Sequence, residues 1–350
     1  MRKNSKIGGQ AVLEGVMMRA PERIAVAVRT PNGAIALEKK ELVKPGKKAW
    51  YRKVPFVRGV VSFVDMLVVG IQSINTSASL MGIEEEPGKF EQWVSKKTGK
   101  SAMDIATGFA MVLGMALAIG LFFVLPQVLS GFLTKLVADH FLLNLIEGGV
   151  RLAIFILYLA AVSLMPDIKR FFAYHGAEHK VVNCYEHGEL LTPENAQKFT
   201  TRHPRCGTSF LLIVMVISVL IFALTGWSGQ WYLRIVMRLA LLPVVAAVSF
   251  ETLMLLAKWD NWFTKALRWP GMLLQGMTTR EPDLAMLEVS IAAFAACLGE
   301  EERKACLPEP PAPAVEVEAT AEELPPTFCE TVEEAAEAQE GSSSEDAAAQ

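Results

Sequence analysis

The sequence predicts a mainly α-helical membrane protein with about four transmembrane helices, a small N-terminal β unit and a cytoplasmic loop rich in histidine and cysteine. Three observations support this fold class. Hydrophobic residues make up 52% of the 350 residues, and they concentrate in long uncharged runs, as membrane-spanning helices require. The N-terminal region instead alternates apolar and polar residues. A polar stretch between the apolar runs, residues 174–210, contains four of the five histidines.

The first 50 residues predict the β unit. Apolar residues alternate with small or polar ones on both sides of Asn32-Gly33, a dipeptide that favours a hairpin turn because both residues tolerate positive φ. The strand-like run before this hairpin, residues 8–21, carries three polar side chains: Gln10, Glu14 and Arg19. Two interpretations remain open for them, a solvated strand face and the lining of a site, and the sequence favours the solvated face.

Four apolar runs predict the membrane-spanning helices: residues 105–125, 152–165, 209–224 and 235–256. Pro126 is expected to end the first of these helices, because proline breaks a helix interior. Residues 56–83 are apolar but carry a polar stripe at helical spacing that includes Asp65. They therefore predict an amphipathic helix rather than a full span.

These features divide the chain into seven regions. In order, they are a β unit (1–50), an amphipathic helix and connector (51–103), transmembrane helices 1 and 2 (104–166), the cytoplasmic His/Cys module (167–208), transmembrane helices 3 and 4 (209–257), a cytoplasmic amphipathic region (258–306) and a disordered acidic tail (307–350). The tail contains no lysine or arginine and is rich in Ala, Glu, Pro and Ser. Such a composition cannot bury a core.

The distribution of lysine and arginine among the loops predicts the topology. These residues precede the first predicted span, separate the second span from the third and follow the fourth, whereas the other two loops contain few. The positive-inside rule then places both termini and the His/Cys module in the cytoplasm. The expected partner is the lipid bilayer. The sequence contains no basic motif interleaved with aromatic residues, so nucleic acid is not an expected partner. Assembly into a homo-oligomer remains open.

The His/Cys module predicts a metal site. It opens with His-Gly-Ala-Glu-His, in which His175 and His179 share one face of a helix. Two such imidazoles can hold a transition metal, and Glu178 is placed to act as the catalytic base. Thr192-Pro193 predicts the start of a short helix, which would bring His203 and Cys206 back as further metal ligands. Zn²⁺ is the expected metal, because imidazole and thiolate both suit it.

Several alternatives to this ligand set remain open. The helix face that carries the two histidines is mostly apolar, so both could be packed and hydrogen-bonded core residues. Glu251, an ionisable residue inside a predicted span, could complete the metal site or pair with Arg205, Arg238 or another cation. Other candidates for the site are Cys184, His187, Arg205, Gln10, Glu14 and Arg280.

Four blocks of the sequence, GGQAVLEGVMMRAP, YHGAEHK, HPRCGTSF and PGMLLQGMTTREPD, together resemble the DUF1385 family, the YqhQ-type bacterial membrane proteins. The blocks occur in order within residues 5–300. The resemblance implies a multi-pass protein of the bacterial cytoplasmic membrane and a metal-dependent enzyme. It implies no substrate, because the family has no established biochemical function.

Two main hypotheses for function follow. The first is a metal-dependent hydrolase of unknown substrate that acts at the membrane. The second is a non-catalytic scaffold or assembly factor with a structural metal site. A transporter is a third, weaker option, which rests on Glu251, Arg238 and the spans interrupted by proline. Three protein ligands with an open position would indicate catalysis, whereas four protein ligands would indicate a structural site.

Overall fold

The computed structural model of the chain describes residues 5–42, 54–82, 102–135, 137, 139–225, 230–258, 261–307 and 314–318. Most of the predicted connector at residues 84–103 and most of the predicted acidic tail lie outside these ranges. The chain divides into two compact units. The first unit comprises Met1–Gly82, Leu159–Val214 and Pro243–Gln350, and the second comprises Ile83–Tyr158 and Met215–Leu242.

The N-terminal sheet confirms the predicted β unit. Its strands β1 (Gly8–Val12), β2 (Gly15–Arg19), β3 (Arg23–Arg29) and β4 (Ile35–Glu41) form an antiparallel meander. The predicted turn at Asn32-Gly33 connects β3 to β4, and Gly33 has a φ of 81°, a conformation that glycine adopts without steric cost.

One short segment differs from the predicted disordered tail. Ala314–Glu318 forms a fifth strand, β5, which pairs in parallel with β4. The sequence Ala-Val-Glu-Val-Glu alternates with the period of a strand, and β4 would otherwise be an open edge of the sheet. The composition of the tail as a whole concealed this local pattern.

Eleven α-helices follow the sheet in the described residues. They are α1 (Val57–Leu80), α2 (Ala102–Ile119), α3 (Leu125–Gly131), α4 (His140–Val162), α5 (Pro166–Glu186), α6 (Pro193–Gln197), α7 (Thr208–Ala223), α8 (Trp231–Lys258), α9 (Trp262–Thr278), α10 (Leu284–Cys297) and α11 (Glu300–Cys306). A π-helical turn, Gly120–Val124, joins α2 to α3. Pro126 therefore does not end this apolar helix, because it lies in the first turn of α3, where its missing N–H is tolerated.

Within the described residues, four helices are long and apolar enough to cross a membrane: Val57–Leu80, Gly108–Gly131, His140–Val162 and Trp231–Leu256. This confirms the expected number of such helices, but their identity differs from the prediction. The predicted short span at residues 152–165 belongs largely to α4, which starts at His140. The predicted third span forms α7, which is shorter, and α1 meets the length and composition of a span instead.

Part of the polar face of α1 is buried. Ser62, Asp65, Ser73 and Ser77 are all less than a tenth exposed, whereas Asn75 and Ser79 are exposed. The C-terminal half of α1 packs on the sheet, where Val69 joins the sheet's hydrophobic cluster and the Leu13 N–H donates to Ser77 Oγ. Because the fold covers these buried polar residues, α1 can contain them although its mean hydropathy is high.

The core of the first unit lies between the sheet, α5 and α10. Almost every residue of α10 is buried, including Leu287, Ile291 and Phe294. We predicted a cytoplasmic amphipathic region over residues 258–306, and α10 differs from an amphipathic helix in being buried on almost every side. Its many alanines keep the helix narrow enough to be covered by α5 on one side and by β2 and β3 on another.

Gly176 allows α5 to approach the segment before α10. A Cβ atom at this position would overlap the carbonyl oxygen of Arg280 and lie 3.3 Å from Thr201 Cγ2. The Arg280 N–H also donates to the Phe172 carbonyl at 2.9 Å, so this backbone cannot move away without losing a hydrogen bond.

Gly176→Ala is therefore expected to destabilise the protein by about 1–3 kcal/mol, the usual cost of overpacking. Gly276→Ala is the matched control, because a Cβ atom there makes only an ordinary contact, 3.5 Å from Arg202 Nη2. Denaturant unfolding of the two variants in detergent measures the difference in free energy. Equal stability of both variants would contradict the close approach.

Candidate metal centre

Helix α5 carries the His-x-x-Glu-His pattern in its buried second half. Pro166 and Asp167 lie in its first turn, where proline and an acidic residue are favourable. His175 and His179 are one turn apart, as predicted, and their ring centroids lie 4.5 Å from each other. The helix therefore directs two imidazoles towards the same point.

Cys206 joins these two histidines from a different segment. Thr192 caps the short helix α6, as predicted, by accepting a hydrogen bond from the Asn195 N–H. The chain then returns to α5, where Cys206 Sγ lies 3.3 Å from His175 Nε2. Among the described residues, His175, His179 and Cys206 form a group whose potential ligand atoms all lie within 4.8 Å of one another.

Backbone carbonyls orient both imidazoles. His175 Nδ1 lies 2.8 Å from the Thr278 carbonyl oxygen, and His179 Nδ1 lies 2.6 Å from the Thr201 carbonyl oxygen. Because a carbonyl oxygen can only accept, both Nδ1 atoms carry hydrogen and both Nε2 atoms are left to act as ligands. Metal-binding histidines are typically held in this way.

Glu178 lies beside the three candidate ligands and is 6% exposed. Its carboxylate accepts a hydrogen bond from the Gly9 N–H in β1, and its Oε2 atom has no hydrogen-bond partner. Burial raises the pKa of Glu178 above its usual value, although the imidazoles of His179 and His175 act in the opposite direction. The group is thus a buried carboxylate with one unused oxygen.

Cys206 and His175 shift each other's pKa. Burial alone would raise the pKa of Cys206, but the imidazoles of His179 and His175 outweigh it and hold the pKa well below that of a free thiol. Burial alone would lower the pKa of His175, but the facing Cys206 raises it to about 9. The lowered pKa favours the thiolate form of Cys206, which is the form that binds metals.

His203, which we predicted to be a ligand, lies outside this group of three. Its ring centroid is 5.9 Å from that of His179, but its Nε2 atom faces Glu186 Oε2 at 3.4 Å. Its backbone is held at both ends by the Gln275 side chain, which accepts from the His203 N–H at 3.0 Å and donates to the His203 carbonyl at 2.9 Å. The Gln275 side chain, through these two bonds to the backbone, holds the loop that presents Cys206.

Glu251 also lies outside the group. Its carboxylate accepts two hydrogen bonds from Arg58, at 2.9 and 2.6 Å, and one from the Phe56 N–H. This is the pairing alternative described above, except that the cation is Arg58 rather than Arg205 or Arg238. The pair links α1 to α8 in the first unit.

The remaining candidates have structural partners. Arg205 pairs with Glu186, Cys184 is buried with Sγ 3.6 Å from the Leu190 carbonyl, and the His187 ring stacks near Phe199. Their contacts anchor the loop between α5 and α7 rather than adding ligands.

The N-terminal and C-terminal blocks surround α5 without reaching the three ligands. Glu14 pairs with Arg170 and accepts from the Tyr174 hydroxyl at 3.3 Å. Gln10 Nε2 donates to the Gly70 carbonyl, and Arg280 contacts α5 through its backbone. The functional atoms that sequence reasoning missed are the carbonyls of Thr201 and Thr278 and the N–H of Gly9. Backbone groups have no residue-type signature, so no sequence signal identifies them.

The low pKa of Cys206 predicts its reactivity in metal-free protein. Iodoacetamide should modify Cys206 faster than Cys184, whose pKa burial raises to about 12. The rate at Cys206 should depend on pH less steeply than the rate of a free thiol, because the lowered pKa favours the thiolate. Peptide mapping by mass spectrometry measures both rates. His175→Ala should raise the pKa and restore a rate that increases with pH; a steep increase already in the unaltered protein would contradict the thiolate.

Comparison with known proteins confirms the family suggested by the four sequence blocks. The family model described as "Protein of unknown function (DUF1385)" matches residues 54–300. The chain is 35% identical to "Uncharacterized protein YqhQ" of Bacillus subtilis (strain 168) over 292 residues, which cover 82% of this chain and 90% of that protein. No solved structure matches the chain. By the extent of both matches, the chain belongs to the DUF1385 family of proteins of unknown function.

Proposed function

We propose that this protein is a metal-dependent hydrolase of the bacterial cytoplasmic membrane, with Zn²⁺ held by His175, His179 and Cys206. The observation that carries the proposal is the convergence of three potential ligand atoms within 4.8 Å, next to a buried carboxylate, Glu178, that has an unused oxygen.

The three residues fit zinc in geometry and in chemistry. Ligand atoms about 2.0–2.3 Å from a tetrahedral ion lie roughly 3.5 Å from each other, and His175 Nε2 and Cys206 Sγ are separated by 3.3 Å. Imidazole and thiolate are both preferred by zinc. The backbone carbonyls that accept hydrogen bonds from the two Nδ1 atoms orient the imidazoles, as is typical of metal-binding histidines.

Three protein ligands, rather than four, favour a catalytic site over a structural one. The fourth residue that could close a tetrahedral site, His203, faces Glu186 instead. Zinc would supply Lewis-acid activation of water and of the bond to be hydrolysed. Glu178 would accept the proton from the attacking water, a task for which a carboxylate with a raised pKa is suited.

The packing of the first unit supports the proposed topology. The sheet, α5 and α10 share one hydrophobic core, so we place them on the same side of the membrane. The chain between β4 and α5 would then cross an even number of times, and so would the chain between α5 and α10. Because α1 packs on the sheet, we assign the crossings to α2–α3 and α4 in the first interval, and to α7 and α8 in the second.

These four crossings agree with the distribution of basic residues in the loops. The positive-inside rule places the first unit's core and both termini in the cytoplasm, so that the metal site faces the cytoplasmic side of the bilayer. Helix α7 is about 24 Å long at 1.5 Å per residue, and neighbouring residues would complete its passage.

A cysteine-accessibility scan tests this topology. In intact cells, an impermeant thiol reagent should label Gln230→Cys, in the loop before α8, and should not label Ser79→Cys or Glu189→Cys until the cells are permeabilised. All three positions are exposed in the structure. Labelling of Ser79→Cys from outside would show that α1 crosses the membrane and that the even-crossing argument fails.

Metal analysis tests the site itself. Purified protein should contain about one zinc ion per chain, and His175→Ala or His179→Ala should remove it, because each change deletes one of three ligands. Glu178→Gln should retain the metal and abolish function in cells. The matched control is His203→Ala, a buried histidine nearby, which should also retain the metal.

Two results would overturn the proposal of a hydrolase. Loss of metal in His203→Ala, together with normal function of Glu178→Gln, would favour the scaffold with a closed structural site. Absence of transition metal from protein purified without chelator would remove both metal hypotheses, and the histidines would then be packed, hydrogen-bonded core residues.

A further inference from the structure

Helix α9 carries an apolar stripe on its outer side. Trp262, Ala266, Trp269 and Leu273 recur at the spacing of helical turns, so they lie along one side of the helix. All four are exposed, Trp262 at 80%, Trp269 at 61% and Leu273 at 45%. We call these four residues the tryptophan stripe.

The opposite side of α9 is polar and buried. Thr264, Gln275 and Thr278 lie on that side, and each is at most 5% exposed. Thr264 forms the capping box of the helix with Asn261, and the Gln275 side chain binds both backbone groups of His203. A helix on the surface of a water-soluble protein has the reverse arrangement, with its apolar side buried. The inverted pattern indicates an apolar neighbour outside the protein.

A hydrogen bond places the middle of α9 beside the end of an apolar helix. Arg268 Nη2 donates to the Leu256 carbonyl. Leu256 is the last residue of Trp231–Leu256, the segment of α8 that is long and apolar enough to cross a membrane. Since α8 crosses the bilayer in the proposed topology, the bond puts α9 at the level of the membrane surface.

The residues of the stripe suit the boundary between lipid head groups and acyl chains. An indole ring is a broad apolar surface with a single N–H donor, so it packs on acyl chains while the donor reaches head groups or water. Trp262 and Leu273 are eleven residues apart in α9, so the stripe extends about 17 Å along the helix axis. A helix with one apolar side and one polar side satisfies both by lying in the plane of the interface.

The same helix reaches the metal centre. The Thr278 carbonyl at its end accepts from His175 Nδ1 at 2.8 Å. Arg268, which binds the end of α8, and Thr278 are ten residues apart, or about 15 Å along the axis at 1.5 Å per residue. One short length of helix therefore connects the end of the apolar segment to a residue that orients a candidate metal ligand.

We propose that the tryptophan stripe binds the lipid surface, so that α9 lies in the plane of the bilayer interface and holds the metal centre next to the head groups. The stripe is continuous with the end of α8, whose outer surface faces lipid in the proposed topology, and this continuity favours lipid over a second copy of the chain as the occupant. The inference rests on the proposed crossing by α8, and it requires neither a bound metal nor hydrolysis.

Photocrosslinking of the full-length protein in phosphatidylcholine vesicles tests the proposal. The photoreactive residue p-benzoylphenylalanine replaces Trp269 or Leu273, and mass spectrometry measures lipid adducts after irradiation. Both positions should give about tenfold more lipid adduct than the same replacement at Leu190, because an interfacial helix buries its apolar side among lipids. Leu190 is the matched control, since it has the same exposed fraction as Leu273, 45%, and lies in the loop between α5 and α6.

A fourth position separates failure of this inference from failure of the topology. Val244 is exposed within the apolar segment of α8, so the same replacement there should give lipid adducts if α8 crosses the bilayer. Adducts at Val244 with none at Trp269 or Leu273 would overturn this inference alone, and adducts at none of the three would overturn the crossing as well. Crosslinks from the stripe to a second copy of the chain, or equal lipid adducts at Leu190 and Leu273, would also overturn the inference.

Discussion

The burial of α5 is the constraint on which the candidate metal centre depends. The helix is enclosed by the sheet, α6 and α10, and Gly176 lets the backbone at Arg280 come close. This approach brings the end of α9 to the point where the Thr278 carbonyl accepts from His175. Ligand orientation thus depends on backbone atoms, whose positions are set by helix packing rather than by residue type at the site.

The helical period predicted that His175, Glu178 and His179 lie together, and Cys206 was selected because cysteine binds metals and lies nearby in the sequence. His203 and Glu251, which were also considered as ligands, lie outside the group of three. Their partners, Glu186 and Arg58, are determined by tertiary packing. The carbonyls of Thr201 and Thr278 could not be predicted, since every residue has a carbonyl.

The fold shows the same division between local pattern and long-range packing. Alternation and an Asn-Gly turn predicted the four N-terminal strands, and hydrophobic runs predicted the number of apolar helices. Composition could not tell which apolar helix packs on the sheet. Helix α1 has the length of a span, yet four of its polar residues are buried and its second half contacts β1 and β3. Elements that share one core must be connected by chain segments that cross a membrane an even number of times. Only tertiary contacts reveal which elements share a core.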